Sequence, residues 1–289
     1  MLKPAICFGE VLWDNLPSGR KVGGAPLNVC YHLIKNGLPA MIISQVGQDL
    51  NGGKLLEEIK KLGINSSYIF ETADVPTSTV EVQVAANGQV SYEIVEQVAW
   101  DYIPFDAEIA ETVQQASAFV FGSLAARSPI SRETLLQYIQ YTPWPVFDIN
   151  LRRPFFDEHL IIDLIGRSKT LKLNEEELHI VANWLQLEEK QTDILLPTLL
   201  SHFPDLEEII YTKGPEGASY CNRKEQCSVP GLVVKVKDTV GSGDSFLGTF
   251  LAKRAQGASA QDALTAAIQI SAYVASCDGA CPPYPNENI

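Results

Sequence analysis

The stretch Asp238-Thr239-Val240-Gly241-Ser242-Gly243-Asp244 crowds small residues into a turn, and Phe246, Leu247, Phe250 and Leu251 follow at helical spacing. A glycine-rich turn that opens a helix leaves backbone N–H groups without partners. Those amides, with the positive end of the helix dipole, stabilise charge on a phosphoryl group, and Gly241 and Gly243 let the backbone come close to it. Asp244 beside such an anion hole would repel phosphate unless it has a task of its own, and accepting the proton of an attacking hydroxyl is such a task. An acidic residue in a first helical turn also serves simply to satisfy amides, so the residues alone leave both readings open. A second cluster, Gly23-Gly24-Ala25-Pro26-Leu27-Asn28, precedes Gly37, Gly47 and Gly52. Paired glycines admit a ligand against the backbone; Asn28 and the upstream Asp14 carry the donors and acceptors that suit sugar hydroxyls. A surface turn explains Gly23-Gly24 equally well. Arg152, in Asp148-Ile149-Asn150-Leu151-Arg152, offers a permanent planar cation after an apolar run, although a surface arginine is the ordinary reading. Asn174, with Glu177 three residues later, also reads as a helix-capping pair.

The elements that must position these residues follow from periodicity. Apolar runs at Ala5 to Phe8, Met41 to Val46, Phe119 to Phe121, Val146 to Ile149, Leu171 to Leu173 and Ile209 to Thr212 predict buried strands. Helices are predicted over Asp49 to Leu62, Arg132 to Tyr141, Glu175 to Leu185, Ser245 to Ala255 and Gln261 to Ala275. This alternation favours a parallel sheet covered on both faces by helices. One segment has period two instead: Val80, Val82 and Val84, then Asn87-Gly88, then Val90, Tyr92 and Ile94. It predicts a β-hairpin with a type I′ turn and one apolar face. That face covers something: the hairpin is an edge of the main sheet, a lid or a subunit contact.

The chain has 289 residues, 46% hydrophobic and 20% charged, the balance of a globular protein with one large core and an insertion. A formal charge of -13 repels nucleic acid and anionic membranes, so no partner of either kind is expected and any anionic ligand must be held by local geometry. The first residues are too short an apolar run for a signal peptide, and no stretch reaches transmembrane length. Six cysteines without a CxxC pair and four histidines without a close pair argue for reduced thiols in a cytoplasmic protein and against structural zinc.

Taken in order, the two glycine clusters resemble the signatures of the ribokinase-like, or PfkB, family of carbohydrate kinases, and the likeness spans nearly the whole chain. The N-terminal signature is similar to Gly24, Asn28, Gly37 and Gly47, and the C-terminal one to Asp238 through Asp244. Cys30, Val240 and Thr249 depart from the residues usual there, and Ile149 replaces a more usual proline, without removing a chemical group the mechanism needs. The resemblance implies a ribokinase-like doubly wound, mostly parallel α/β sheet as one domain over 1–289, with a small β lid from insertions around 10–22 and 76–98. It implies Asp244 as catalytic base with Gly241, Ser242 and Gly243 as anion hole, and Asp14, Gly24, Asn28 and Arg152 at the sugar. Asn174, Thr212, Gly214 and Gly217 would lie at the nucleotide, ATP, and Glu177 would act on Mg²⁺ through water. Asp238, Val240 and Gly279 resemble the loops that hold a monovalent cation, K⁺, in many relatives. The implied activity is ATP-dependent phosphorylation of a primary hydroxyl of a small sugar, most similar to the fructokinases, with a homodimer through the β lid as a further implication. 2-Keto-3-deoxygluconate, ribose or a nucleoside are alternative acceptors, and a non-catalytic sugar-binding regulator is the alternative from another class.

Overall fold

The structure is a computed structural model that describes residues 2–16, 19–84, 90–189 and 191–285. In chain order its elements begin with β1 Ala5–Phe8, β2 Leu12–Leu16, β3 Gly19–Gly23, α1 Ala25–Lys35, β4 Ala40–Gly47, α2 Leu50–Lys61 and β5 Ile69–Thr72. Next come β6 Thr79–Val84, β7 Val90–Ile94, α3 Ala107–Gln115, β8 Ala118–Gly122, α4 Pro129–Tyr141, β9 Pro145–Asp148 and α5 Glu158–Gly166. The chain continues through β10 Thr170–Asn174, α6 Glu175–Trp184, α7 Thr192–His202, β11 Glu208–Thr212, β12 Ala218–Asn222, β13 Gln226–Val229, α8 Ser242–Ala255 and α9 Ala260–Ala275.

Nine strands form the main sheet in the order β13-β12-β11-β10-β9-β8-β1-β4-β5. All neighbours run parallel except at one edge, where β11, β12 and β13 pair antiparallel. The buried apolar runs feed both faces, because alternate side chains of a strand point to opposite sides. Ile6, Phe8, Phe119, Phe121 and Phe147 enter one core with residues of α3 to α7. Ala5, Cys7, Ala118, Val120 and Val146 enter the other with α1, α2, α8 and α9. The fold is the expected doubly wound, mostly parallel sheet flanked by helices.

Strand order reverses at β1, which pairs with β4 on one side and β8 on the other. A crevice forms at the carboxyl ends of strands where order reverses, and it is there that ligands bind in open α/β sheets. Four further strands, in the order β3-β2-β6-β7, build a separate small sheet. The hairpin therefore belongs to this sheet, and its reading as an edge of the main sheet is corrected: β6 pairs with β2 and β7, not with β5. The Asn87-Gly88 turn lies outside the described residues. Two contacts anchor the small sheet beside α2. Trp13 Nε1 donates to the Asn51 carbonyl at 3.0 Å, and Arg20 lies over the Trp13 ring while donating to Asn51 Oδ1 at 2.8 Å.

Candidate active site

One cleft of about 1030 Å³ at the carboxyl edge of the main sheet gathers Asp14, Gly24, Asn28, Arg152, Asn174, Thr212, Gly241, Gly243 and Asp244. Residues 230 apart in sequence thus meet because β1, β9, β10 and β11 all end at this edge, while the small sheet supplies Leu12, Asp14, Val80 and Ile94 from above. A contiguous recess of about 480 Å³ shares Asn174, Thr212, Thr239 and Gly243 with it and adds Gly214, Gly217 and Ser242. Its other walls are apolar, with Leu232, Val233, Val236, Phe246, Ile268 and Ala272. An apolar recess opening onto a helix end suits a nucleotide base attached to phosphates.

Helix α8 begins at Ser242, three residues before the predicted start, so Ser242, Gly243 and Asp244 form its first turn. Glycines weaken a helix reading in sequence, which is why the turn looked like loop. Gly241 is the N-cap with φ +75, and no side chain caps the helix. The Ser242 amide, expected in the anion hole, instead donates to the Thr239 carbonyl at 3.2 Å, which leaves the Gly243 and Asp244 amides of this turn for an external acceptor. A Cβ on Gly241 would run into Ala280, so both backbone conformation and the packed C-terminal segment require glycine there.

Asp244 stands half-buried in this turn, and Asn28 Nδ2 donates to its Oδ2 at 2.8 Å. Burial raises its pKa to about 6; Asp148 adds to the rise, while the Asn28 amide, Lys172 and Arg152 oppose it. A carboxylate ionised at neutral pH yet close to its titration point is well matched to proton acceptance. The paired glycines have steric work to do. A Cβ on Gly23 would strike the Asp14 carboxylate, and one on Gly24, at φ +116, would strike the Glu10 carbonyl. Asp14 is raised to about 6 by burial and by Asp238 and Asp244. Gly47 and Gly52 serve packing: a Cβ on Gly47 would meet Thr77 N at 2.7 Å, and one on Gly52 would meet the Gly47 carbonyl.

Some expected residues stand back from the cleft. Glu177 forms the capping box: Asn174 Oδ1 accepts from Glu177 N at 3.0 Å, and Glu177 Oε2 accepts from Asn174 N at 2.9 Å. Its Oε1 accepts from Leu151 N at 2.9 Å, so this carboxylate braces two cleft loops from behind. Asp238 behaves alike, its Oδ1 accepting from Val240 N at 3.0 Å and Oδ2 from Gly279 N at 3.1 Å. Gly217 sits at φ +103 where a Cβ would strike the Val229 carbonyl, which fits its turn role as well as its place in the recess.

Two cleft residues were given no site role from the sequence. Lys172 is buried, pairs with Asp148 at 2.9 Å, and would lie 3.2 Å from a Cβ on Gly243. Burial lowers its pKa, but Asp148, Glu177 and Asp244 outweigh that and hold it above the usual value, so a full positive charge faces the start of α8. Its signal is a lysine in mid-strand between Leu171 and Leu173. Glu10 is 4% exposed, accepts from Ala25 N at 3.2 Å through Oε1, and leaves Oε2 without a partner. Burial pushes it up to about 7.

The pattern of pfkB family carbohydrate kinases matches residues 17–287, so the chain belongs to the pfkB family and is a carbohydrate kinase. It is 25% identical to the probable fructokinase-5 of Arabidopsis thaliana over 96% of this chain and 90% of that one. The crystal structure of a fructokinase from Xylella fastidiosa with bound ATP superposes with a TM-score of 0.83 at 21% identity, covering 97% of this chain and 94% of that one. A fructokinase from Vibrio cholerae O395 with fructose, ADP and potassium ion bound superposes at 0.81 with 20% identity, covering 97% and 94%. Among the described residues no helix is long and apolar enough to cross a membrane, and no group of three or more His, Cys, Asp or Glu could hold a metal ion.

Proposed function

We propose that the protein transfers the γ-phosphoryl group of ATP to a primary hydroxyl of fructose, giving fructose 6-phosphate and ADP. The observation that carries this is Asp244: one carboxylate stands at the uncapped start of α8, where the sugar side of the cleft, with Asn28 and Asp14, meets the nucleotide recess. Asp244 takes the proton of the attacking hydroxyl while the first-turn amides of Gly243 and Asp244 and the Lys172 ammonium stabilise the charge on the moving phosphoryl group. Gly24, Asn28, Asp14 and Arg152 hold the sugar; Asn174, Thr212, Gly214 and Gly217 line the nucleotide's place. The donor set suits a Mg²⁺ that keeps most of its water rather than a protein cage, with Glu177 acting through water behind Asn174. When bound, that ion neutralises phosphate charge. Asp238, Val240 and Gly279 would form a monovalent cation site, and replacing K⁺ by a large organic cation in the assay tests it. The small sheet would act as lid, excluding water from the poised phosphoryl group, and as the contact of a homodimer.

Arg152 favours one other acceptor. A cation on the sugar side, in a protein of charge -13, suits the carboxylate of 2-keto-3-deoxygluconate. An acceptor panel with coupled detection of ADP separates the two. Turnover on fructose well above that on 2-keto-3-deoxygluconate, ribose and inosine is expected; the reverse order removes fructose as the acceptor.

A further inference from the structure

The C-terminal segment after α9 lies along one face of α1, and the contacts that hold it there reach the catalytic carboxylate. His32 Nε2 bonds the Ala280 carbonyl at 2.8 Å, and Tyr31 Oη donates to the Pro282 carbonyl at 2.7 Å. The carbonyls on either side of Cys281 are thus both taken by α1. Asn28 sits three and four residues before Tyr31 and His32, on the same helix face. There the Cys281 thiol donates to Asn28 Oδ1, with Sγ at 3.4 Å, while Asn28 Nδ2 donates to Asp244 Oδ2 at 2.8 Å.

The direction of this chain follows from what each group can do. An ionised carboxylate only accepts, so the amide must turn its NH₂ to Asp244. Asn28 is 4% exposed, which leaves its carbonyl oxygen in need of a donor on the other side. Burial pushes the Cys281 thiol far above the usual range, so the proton stays on sulfur and the group remains a donor. His32, lowered by burial to about 4, is neutral at working pH. Its Nε2–H faces Ala280 and its Nδ1 accepts from Tyr284 Oη at 2.8 Å, which keeps the segment in register.

We infer that Cys281 is a positioning residue for phosphoryl transfer: its thiol fixes the Asn28 amide in the one orientation that presents an N–H to the base Asp244. Asn28 then has a second task beside sugar contact, that of aiming the carboxylate at the incoming hydroxyl. This inference rests on Asp244 being the base.

Three substitutions test it. Cys281→Val keeps the shape without the donor, Cys281→Ala is a smaller variant without the donor, and Cys281→Ser keeps a donor. With saturating sugar and ATP, the valine and alanine variants are expected to lose roughly tenfold or more in kcat, as misplaced catalytic groups do, with KM for ATP unchanged. Their acid limb of kcat/KM moves to higher pH, because the lost N–H stabilised the ionised form of Asp244. The groups facing Asp244 are Asp148, Lys172, Arg152, Glu10, Asp14 and Cys281, and the first five are the same in all variants. The serine variant is expected to retain wild-type kcat and pH profile. Thermal melts establish folding, and if the valine variant does not fold, the alanine variant gives the comparison. Wild-type kcat and acid limb without the donor overturn the inference, as does a serine variant that falls as far as the donorless ones. Asp244→Asn is measured alongside: full turnover there removes the base itself, whereas its inactivity beside a normal Cys281→Val removes only the role of Cys281.

Discussion

Single residues carry the pH behaviour. As the proposed base, Asp244 must be ionised to accept a proton, and burial places its titration at about 6. Activity is therefore expected to be flat above neutrality on this limb and to fall as pH drops through about 6, read from kcat/KM profiles. Glu10 gives a stability prediction of opposite sense. Its folded-state pKa of about 7 lies above the ordinary 4.5, so the native state holds a proton that the unfolded chain has released. Stability from this group is complete below pH 4.5 and is lost as pH rises through 7. Glu10→Gln removes that dependence and is expected to stabilise at pH 8, by up to about 3 kcal/mol in denaturant titrations. At pH 4 the two proteins should converge. The carboxylate at Asp244 was legible in the sequence because glycines and a helix start frame it. The role of Glu10 was not, since its orphan oxygen arises from burial that exists only in the folded protein.

Among the elements, α8 and the strand β10 decide what the proposed anion hole can do. Gly241→Ala must displace Ala280 and adopt a φ disfavoured for alanine, so a loss of roughly 1–3 kcal/mol and weaker ATP binding are expected in melts and titrations. Lys172→Met leaves the Asp148 carboxylate buried without its partner, at a cost of roughly 3–5 kcal/mol, and Asp148→Asn in the same protein should recover much of it. Residue periodicity located β10 and α6 within a residue, because buried strands and amphipathic helices write themselves into apolar spacing. It started α8 late and passed over α1, where Gly24 and Pro26 look like a turn although proline is well placed in the first helical turn. The C-terminal segment from Gly279 to Tyr284 carries no periodicity at all; Tyr31, His32 and Tyr273 hold it by contacts that exist only in the folded protein.

At the scale of the molecule, two cores share one sheet, and the cleft opens where strand order reverses. A sheet covered on both faces followed from alternating apolar runs and helices, since parallel strands need crossovers and the crossovers cover both faces, but the one large core expected is divided by the sheet into two. Periodicity showed the small sheet only as an isolated hairpin; its partners β2 and β3 lie more than fifty residues earlier, no local pattern links them, and it was the family resemblance that joined 10–22 to 76–98. If this sheet closes over bound ligands, amide hydrogen exchange in β6 and β7 should slow when sugar and a non-hydrolysable ATP analogue are both present. Unchanged exchange would leave the sheet a fixed wall. The division of labour between one carboxylate and one helix end is tested most directly by steady-state turnover of Asp244→Asn with saturating fructose and ATP. A loss of at least about a hundredfold in kcat, with both ligands still bound at near wild-type affinity in calorimetry, is predicted for removal of a general base. Turnover within a few-fold of wild type would contradict it.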